Sequence, residues 1–129
     1  MPTPDDIRAL IDTYVERFSA GDAAGWAALF APDATHEDPV GSEPNRGRDA
    51  IRAFYEQSIG MFGSLQLVRT GEVVVAGNEA AATFQAHAGT GAGRVLMPHI
   101  IDVLRVDDDG LITQLRAYWQ FDSVVPAPE

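Results

Sequence analysis

The hydrophobic pattern of this chain changes period once, near Ser64, and that change limits the folds open to it. Before it, Ile7, Leu10, Ile11, Tyr14, Val15 and Phe18 recur at three- and four-residue spacing, the mark of an amphipathic helix. Thr3 can cap that helix, Pro4 suits its first position, and Asp5 and Asp6 complement its dipole. The helix is expected to end near Gly21. Asp22 can cap a second, short helix carrying Trp26, Leu29 and Phe30 and closed by Pro32. Residues 34–41 (A-T-H-E-D-P-V-G) read as a short extended segment broken at Pro39. After a loop, a third helix is expected over 48–59, with Ile51, Phe54, Tyr55 and Ile59 facing inward. Beyond Ser64 the period becomes two, and strands are expected over 65–70, 72–76, 79–88, 94–106 and 111–121. Turns at 77–78, 89–93 and 107–110 separate them, the last carrying D-D-D-G. The tail from about 124 to 129 reads as loose. Helices first and antiparallel strands afterwards indicate one α+β domain over 1–129. A strongly curved, mostly antiparallel sheet wrapped around three helices, as a cone-shaped α+β barrel, would enclose an apolar pocket.

Charge narrows the partners. The net charge is −10, with nine arginines, no lysine and nineteen acidic residues. Binding nucleic acid or an anionic membrane needs a basic face, which this balance disfavours; a neutral apolar ligand suits it. With no cysteine there is no disulfide, thiolate nucleophile or cysteine-based metal site. No apolar run approaches spanning length, and residues 1–6 lack signal-peptide character, so a cytoplasmic protein is expected.

Three polar groups stand on apolar surfaces. Asp102 lies within L-M-P-H-I-I-D-V-L-R-V (residues 96–106), and by strict alternation shares a face with Leu96, Ile100, Leu104 and Val106. An ionised carboxylate there costs several kcal/mol unless it is paired or protonated. Depending on the length of the D-D-D-G loop, its cross-strand neighbour is Arg116 or Leu115. It is therefore either half of a salt bridge or a neutral acid that donates a hydrogen bond. Tyr14 is either a core tyrosine or a second O–H donor to the same cavity. Asp38, before Pro39, is either a solvated turn acid or a general base at a pocket mouth. One ionised carboxylate with two neutral O–H donors is what moving a proton alpha to a carbonyl requires.

With those residues in place, the chain resembles the bacterial Δ5-3-ketosteroid isomerases, within the nuclear-transport-factor-2-like and SnoaL-like superfamily. The resemblance runs through Y-V-E-R-F-S-A-G-D (14–22), F-A-P-D-A-T-H-E-D-P-V-G (30–41), G-R-D-A-I-R-A-F-Y (47–55), I-I-D-V-L-R-V (100–106) and A-Y-W (117–119). It implies that Tyr14 and a protonated Asp102 form an oxyanion hole and that Asp38 is the base. A carboxylic acid kept neutral is a known property of these isomerases, so that expectation comes from the family and not from the residues alone. The resemblance further implies that Tyr55 hydrogen-bonds Tyr14, that Trp119 lies beside the base, and that the protein is a homodimer without cofactor or metal. Phe54, Leu96, Leu104 and Leu115 are expected as apolar lining, and Phe30 stands where some members carry a third tyrosine. His99 should face the other side of the sheet and suit an interface.

His36, Glu37 and Asp38 are adjacent, but neighbours on a regular strand point to opposite faces and do not gather around one ion. The implied reaction is isomerisation of a 3-oxo-Δ5 steroid to its conjugated 3-oxo-Δ4 enone. Its rivals are another lyase, cyclase or hydrolase on the same fold, and a noncatalytic binding or dimerisation domain in which Asp102 pairs with Arg116.

Overall fold

In the computed structural model, residues 1–89 and 93–127 are described. Helix α1 spans Pro4–Ser19 and starts at a complete capping box. The Thr3 hydroxyl accepts from the Asp6 amide at 3.1 Å, and the Asp6 carboxylate accepts from the Thr3 amide at 2.8 Å. Helix α2, Ala23–Ala27, is capped by Asp22 as the sequence indicates. Helix α3, Arg48–Phe62, runs three residues past the expected end, to Gly63 at φ 79°.

The strands are β1 (Phe30–Glu37), β2 (Asn45–Arg46), β3 (Leu65–Arg69), β4 (Val74–Ala76), β5 (Glu79–Ala88), β6 (Val95–Val106), β7 (Ile112–Tyr118) and β8 (Val125–Pro126). They form one mixed, unclosed sheet ordered β2-β1-β7-β6-β5-β3, with β4 on β5 and β8 on β6. All pairings are antiparallel except β1 with β7. The three helices pack into its concave side, so the α+β cone expected from the sequence is present, though its sheet stays open. Ile7 and Ile11 of α1 and Ile51 of α3 are buried there with Phe84, Ile112 and Leu115 of the sheet. Arg48 ties α3 to β1 through two hydrogen bonds to the Phe30 carbonyl, and Arg17 ties α1 to α2 through the Gly25 carbonyl. No helix among the described residues is long and apolar enough to cross a membrane.

Three local expectations are corrected. Extended backbone begins with β1 at Phe30, not at Ala34, and runs through Pro32. The stretch read as loose tail contains β8, in which Val125 pairs with Leu96 and Pro126 with Val95; a 3₁₀ turn over Phe121–Ser123 leads into it. Only residues 128–129 of that tail, and 90–92 of the expected 89–93 turn, lie outside the described residues.

The third correction concerns register, and two irregularities in the ladders cause it. Between Met97 and Ile100, β6 carries one more residue than β5, with Phe84 opposite Ile100 and Ala86 opposite Met97. Pro98 falls inside this irregularity, where its missing N–H leaves no ladder bond unmade. Between β6 and β7, Val106 faces Ile112 while Arg105 faces Gln114, so Thr113 is the extra residue. Asp102 consequently faces Ala117, neither Arg116 nor Leu115. A one-residue shift exchanges the faces of a strand, and this one moves Arg116 to the convex side, opposite Val103. There its guanidinium lies 3.6 Å from Glu37 and over the Tyr118 ring.

Replacing Thr3 with Ala removes one half of the capping box, and a loss of about 1 kcal/mol in stability is expected. Urea unfolding of the two proteins at neutral pH measures it.

Candidate active site

The mouth of the cone holds a cavity of about 430 Å³, within the ~300–1,000 Å³ of small-molecule pockets. Its wall is mostly apolar, and Tyr14, His36, Asp38 and Asp102 all reach it. Each arrives from a different part of the fold or by a different local device.

Asp102 lies midway along β6 with Ala82 on one flanking strand and Ala117 on the other. Two methyl side chains leave its carboxyl room on the concave face and offer it no partner. The residue is 5% exposed, and its Oδ1 is buried with no hydrogen-bond partner. Among the described residues no ion pair includes it. Burial first, and then the negative charge of Asp38, hold its proton on well above the usual carboxylate range. The salt bridge with Arg116 is thereby excluded, and the neutral acid is the form the surroundings favour.

Tyr14 comes from the apolar stripe of α1, held among Phe18, Trp26 and Phe30 at ring separations of 5.6–6.4 Å. Burial first, and then nearby negative charge including that of Asp38, pushes its phenol well above its ordinary value. Tyr14 thus keeps its proton too.

Asp38 follows the last residue of β1. The chain is held there by the Val40 amide, which donates to the Ala117 carbonyl at 2.8 Å, and the Asp38–Pro39 peptide is cis. Its side chain is 28% exposed, and the indole N–H of Trp119 donates to Oδ1 at 2.6 Å. Trp119 beside this carboxylate is the arrangement the resemblance implies. Glu37 points to the opposite side and pairs with Arg116. No group of three or more metal-ligating side chains is gathered among the described residues.

Of the remaining expected pocket residues, Phe54 and Tyr55 line the cavity. The Tyr55 hydroxyl, however, donates to the Phe18 carbonyl; its one proton is committed to the backbone and not to Tyr14. Three residues expected as lining are elsewhere, and so is Phe30. Leu96 lost its place to the irregularity at Pro98, which turns Val95 and Met97 toward the cavity and leaves Leu96 on the other side, opposite Val125 of β8. Leu104 and Leu115 face each other in the core, nearer the 107–110 hairpin, where the cone is filled. Phe30 is fully buried behind Trp26, at a ring separation of 4.9 Å. His99 is exposed on the convex face beside Tyr118, as alternation predicts.

Among the lining residues not anticipated from the sequence are His36 and Phe121. His36 is 1% exposed and lines the cavity, two residues before Asp38; alternation along β1 was the signal that could have found it. Phe121 lies at the mouth, 4.7 Å from the Trp119 ring and largely exposed. It belongs to the 3₁₀ turn, which no periodicity announced.

A model of the SnoaL-like domain matches residues 11–115, and the chain belongs to that family. It is 39% identical over 124 residues to a Steroid Delta-isomerase of Nocardioides simplex, a match covering 95% of this chain and 97% of that protein. It is also 31% identical over 143 residues to Epoxide hydrolase LasB of Streptomyces lasalocidi; that match covers 92% of this chain and 49% of the relative, about half its length. A solved structure of SalBIII, an epoxide hydrolase/cyclase-like enzyme of pyran ring formation in the polyether salinomycin, overlays with a TM-score of 0.87. The overlay covers 98% of this chain and 100% of SalBIII at 22% identity, which shows a shared fold. By the first of these likenesses the chain is an enzyme of the isomerase kind, while the other two place a different chemistry on related scaffolds.

The state of Asp102 has a consequence for stability. A carboxyl whose pKa is raised by folding binds more protons in the native than in the unfolded chain, so stability falls as pH rises from about 3.9 towards the folded pKa, by at most about 1.4 kcal/mol per pH unit. Asp102→Asn removes that dependence. Relative to the parent, the variant is expected to gain stability in urea titrations as pH rises above about 4, levelling off once the folded pKa of Asp102 is passed; a constant difference would show Asp102 ionised throughout.

Proposed function

We propose that the chain is a cofactor-free Δ5-3-ketosteroid isomerase. The observation that carries this reading is the meeting, in one apolar cavity, of two groups that retain their protons, Tyr14 and Asp102, with a partly hydrated carboxylate, Asp38. A steroid ketone oxygen placed at the two O–H donors would accept from both. Asp38 removes a proton from C4, and the C4–H electron pair moves into a dienolate whose negative charge rests on that oxygen. The same carboxylate returns the proton to C6, which leaves the conjugated Δ4 enone and regenerates the base. Hydrogen bonds from Tyr14 and Asp102 strengthen as the oxygen becomes negative, so they act chiefly on turnover. The likeness to the Nocardioides simplex isomerase supports the same assignment.

The growth of ultraviolet absorbance from the conjugated enone, with 5-androstene-3,17-dione as substrate, tests this. Asp38→Asn should abolish the signal. Tyr14→Phe and Asp102→Ala should each lower turnover by roughly 10²–10³-fold and weaken binding of a phenolic steroid such as equilenin. Near-parental turnover in Asp38→Asn would remove Asp38 from the mechanism. No enone from any Δ5-3-ketone, together with opening of an epoxide substrate, would move the site to epoxide chemistry.

The protein is further proposed to act as a homodimer through the convex face of the sheet, where Ile101, Tyr118 and Val125 are exposed. Light scattering should give twice the 13.9 kDa chain mass, and Ile101→Asp should return the monomer.

A further inference from the structure

His36 is buried in an aromatic corner, edge-on to Trp26 and Phe30 at ring separations of 5.8 and 6.0 Å and tilted against Phe54 at 5.2 Å. A histidine used only to fill that corner would need no polar contacts, yet both of its ring nitrogens face polar groups. The Asn45 amide nitrogen of β2 lies 3.2 Å from Nδ1. An amide N–H donates, so Nδ1 accepts and the ring proton sits on Nε2. Nε2 in turn lies 3.9 Å from Oδ2 of Asp38. That is too long for a hydrogen bond in this geometry, but it aims an N–H dipole at the carboxylate oxygen that Trp119 leaves free.

We propose that His36 is a positioning residue for Asp38: a neutral imidazole, its tautomer set by Asn45, that presents Nε2–H to Oδ2 and holds the carboxylate between two N–H donors. Trp119 anchors one oxygen. His36 marks the position to which the other returns when the carboxylate swings between neighbouring carbons, and it favours the ionised form. Burial keeps the imidazole uncharged, against the opposing pull of Asp38. The other groups near Asp38 do not take this role. Tyr14 from α1 and Asp102 from β6 retain their protons, and Glu37 and Arg116 are paired on the far face. From α2 and α3 the rings of Trp26 and Phe54 meet His36.

The proposal takes Asp38 as the base of the reaction above, but its test does not depend on that reaction. Ring ¹⁵N shifts of His36 report the tautomer directly, and the Asp38 carboxyl ¹³C signal, assigned by its loss in Asp38→Asn, reports that group's titration. His36→Phe keeps a ring in the corner and removes the N–H; His36→Gln keeps an N–H. A donor that stabilises the anion favours it over the acid, so the Asp38 titration should move upward in His36→Phe and return most of the way in His36→Gln. The acid limb of kcat/KM should move in the same direction. Asn45→Ala leaves the imidazole in place and should give a smaller upward shift with a mixed tautomer signal. A proton on Nδ1 in the parent, or an Asp38 titration unchanged in folded His36→Phe, would overturn the proposal. A shifted titration without isomerisation of any Δ5-3-ketone would uphold His36 as the positioning group and reject the reaction.

Discussion

The site depends on a carboxyl group that is buried and, among the described residues, takes part in no ion pair. Desolvation raises the free energy of the Asp102 anion, and Arg116 lies opposite Val103 on the other face, so its proton stays. In the proposed reaction, that proton would turn a group that repels a developing negative charge into one that donates to it. The same apolar surroundings keep Tyr14 protonated. Asp38 differs because one side of it is wet and an indole N–H meets it. Burial thus holds the protons of two of the three acidic groups in the cavity, Tyr14 and Asp102.

Two interruptions of the sheet make this possible. The extra residue at Thr113 carries Arg116 from the concave to the convex side of β7, where it pairs with Glu37. An uninterrupted ladder continued from the Val106–Ile112 pair would have set Arg116 opposite Asp102 and made the salt bridge of a noncatalytic domain. The extra residue around Pro98 turns Met97 toward the cavity and sends Leu96 to β8. Both devices lie in the strand that holds Asp102 or beside it. They also fit the curvature of the sheet, since bulges bend the strands that carry them.

Much of the fold was legible because its signals are local. The capping box at Thr3, the stripe from Ile7 to Phe18 and the boundaries of β5 follow from residues close in sequence. The polar residues of the site were legible as exceptions, acids and a tyrosine where alternation or helical spacing predicts apolar neighbours. His36 escaped because adjacency to Glu37 and Asp38 invited a question about metal, while its two-residue spacing from Asp38 pointed to a shared face. Leu96, Leu104 and Leu115 were misplaced because facing inward does not distinguish a cavity wall from the core beneath it. The Tyr55 hydroxyl was misassigned because its acceptor, the Phe18 carbonyl, is a backbone group on another helix.

By itself, the sequence determined the order and kind of the main helices and strands, the three polar groups on apolar surfaces and the absence of cysteine, since each of these is set by composition or by a period within one segment. The tertiary structure alone decided that Tyr14, Asp38 and Asp102 meet, that Arg116 does not join them, and that His36 and Trp119 stand at the two oxygens of Asp38. The physical reason is register. Alternation assigns a face only along an unbroken ladder, and one inserted residue reverses every assignment beyond it. Protonation follows from the same source, because burial and neighbouring charge act through space, between residues that the chain keeps far apart.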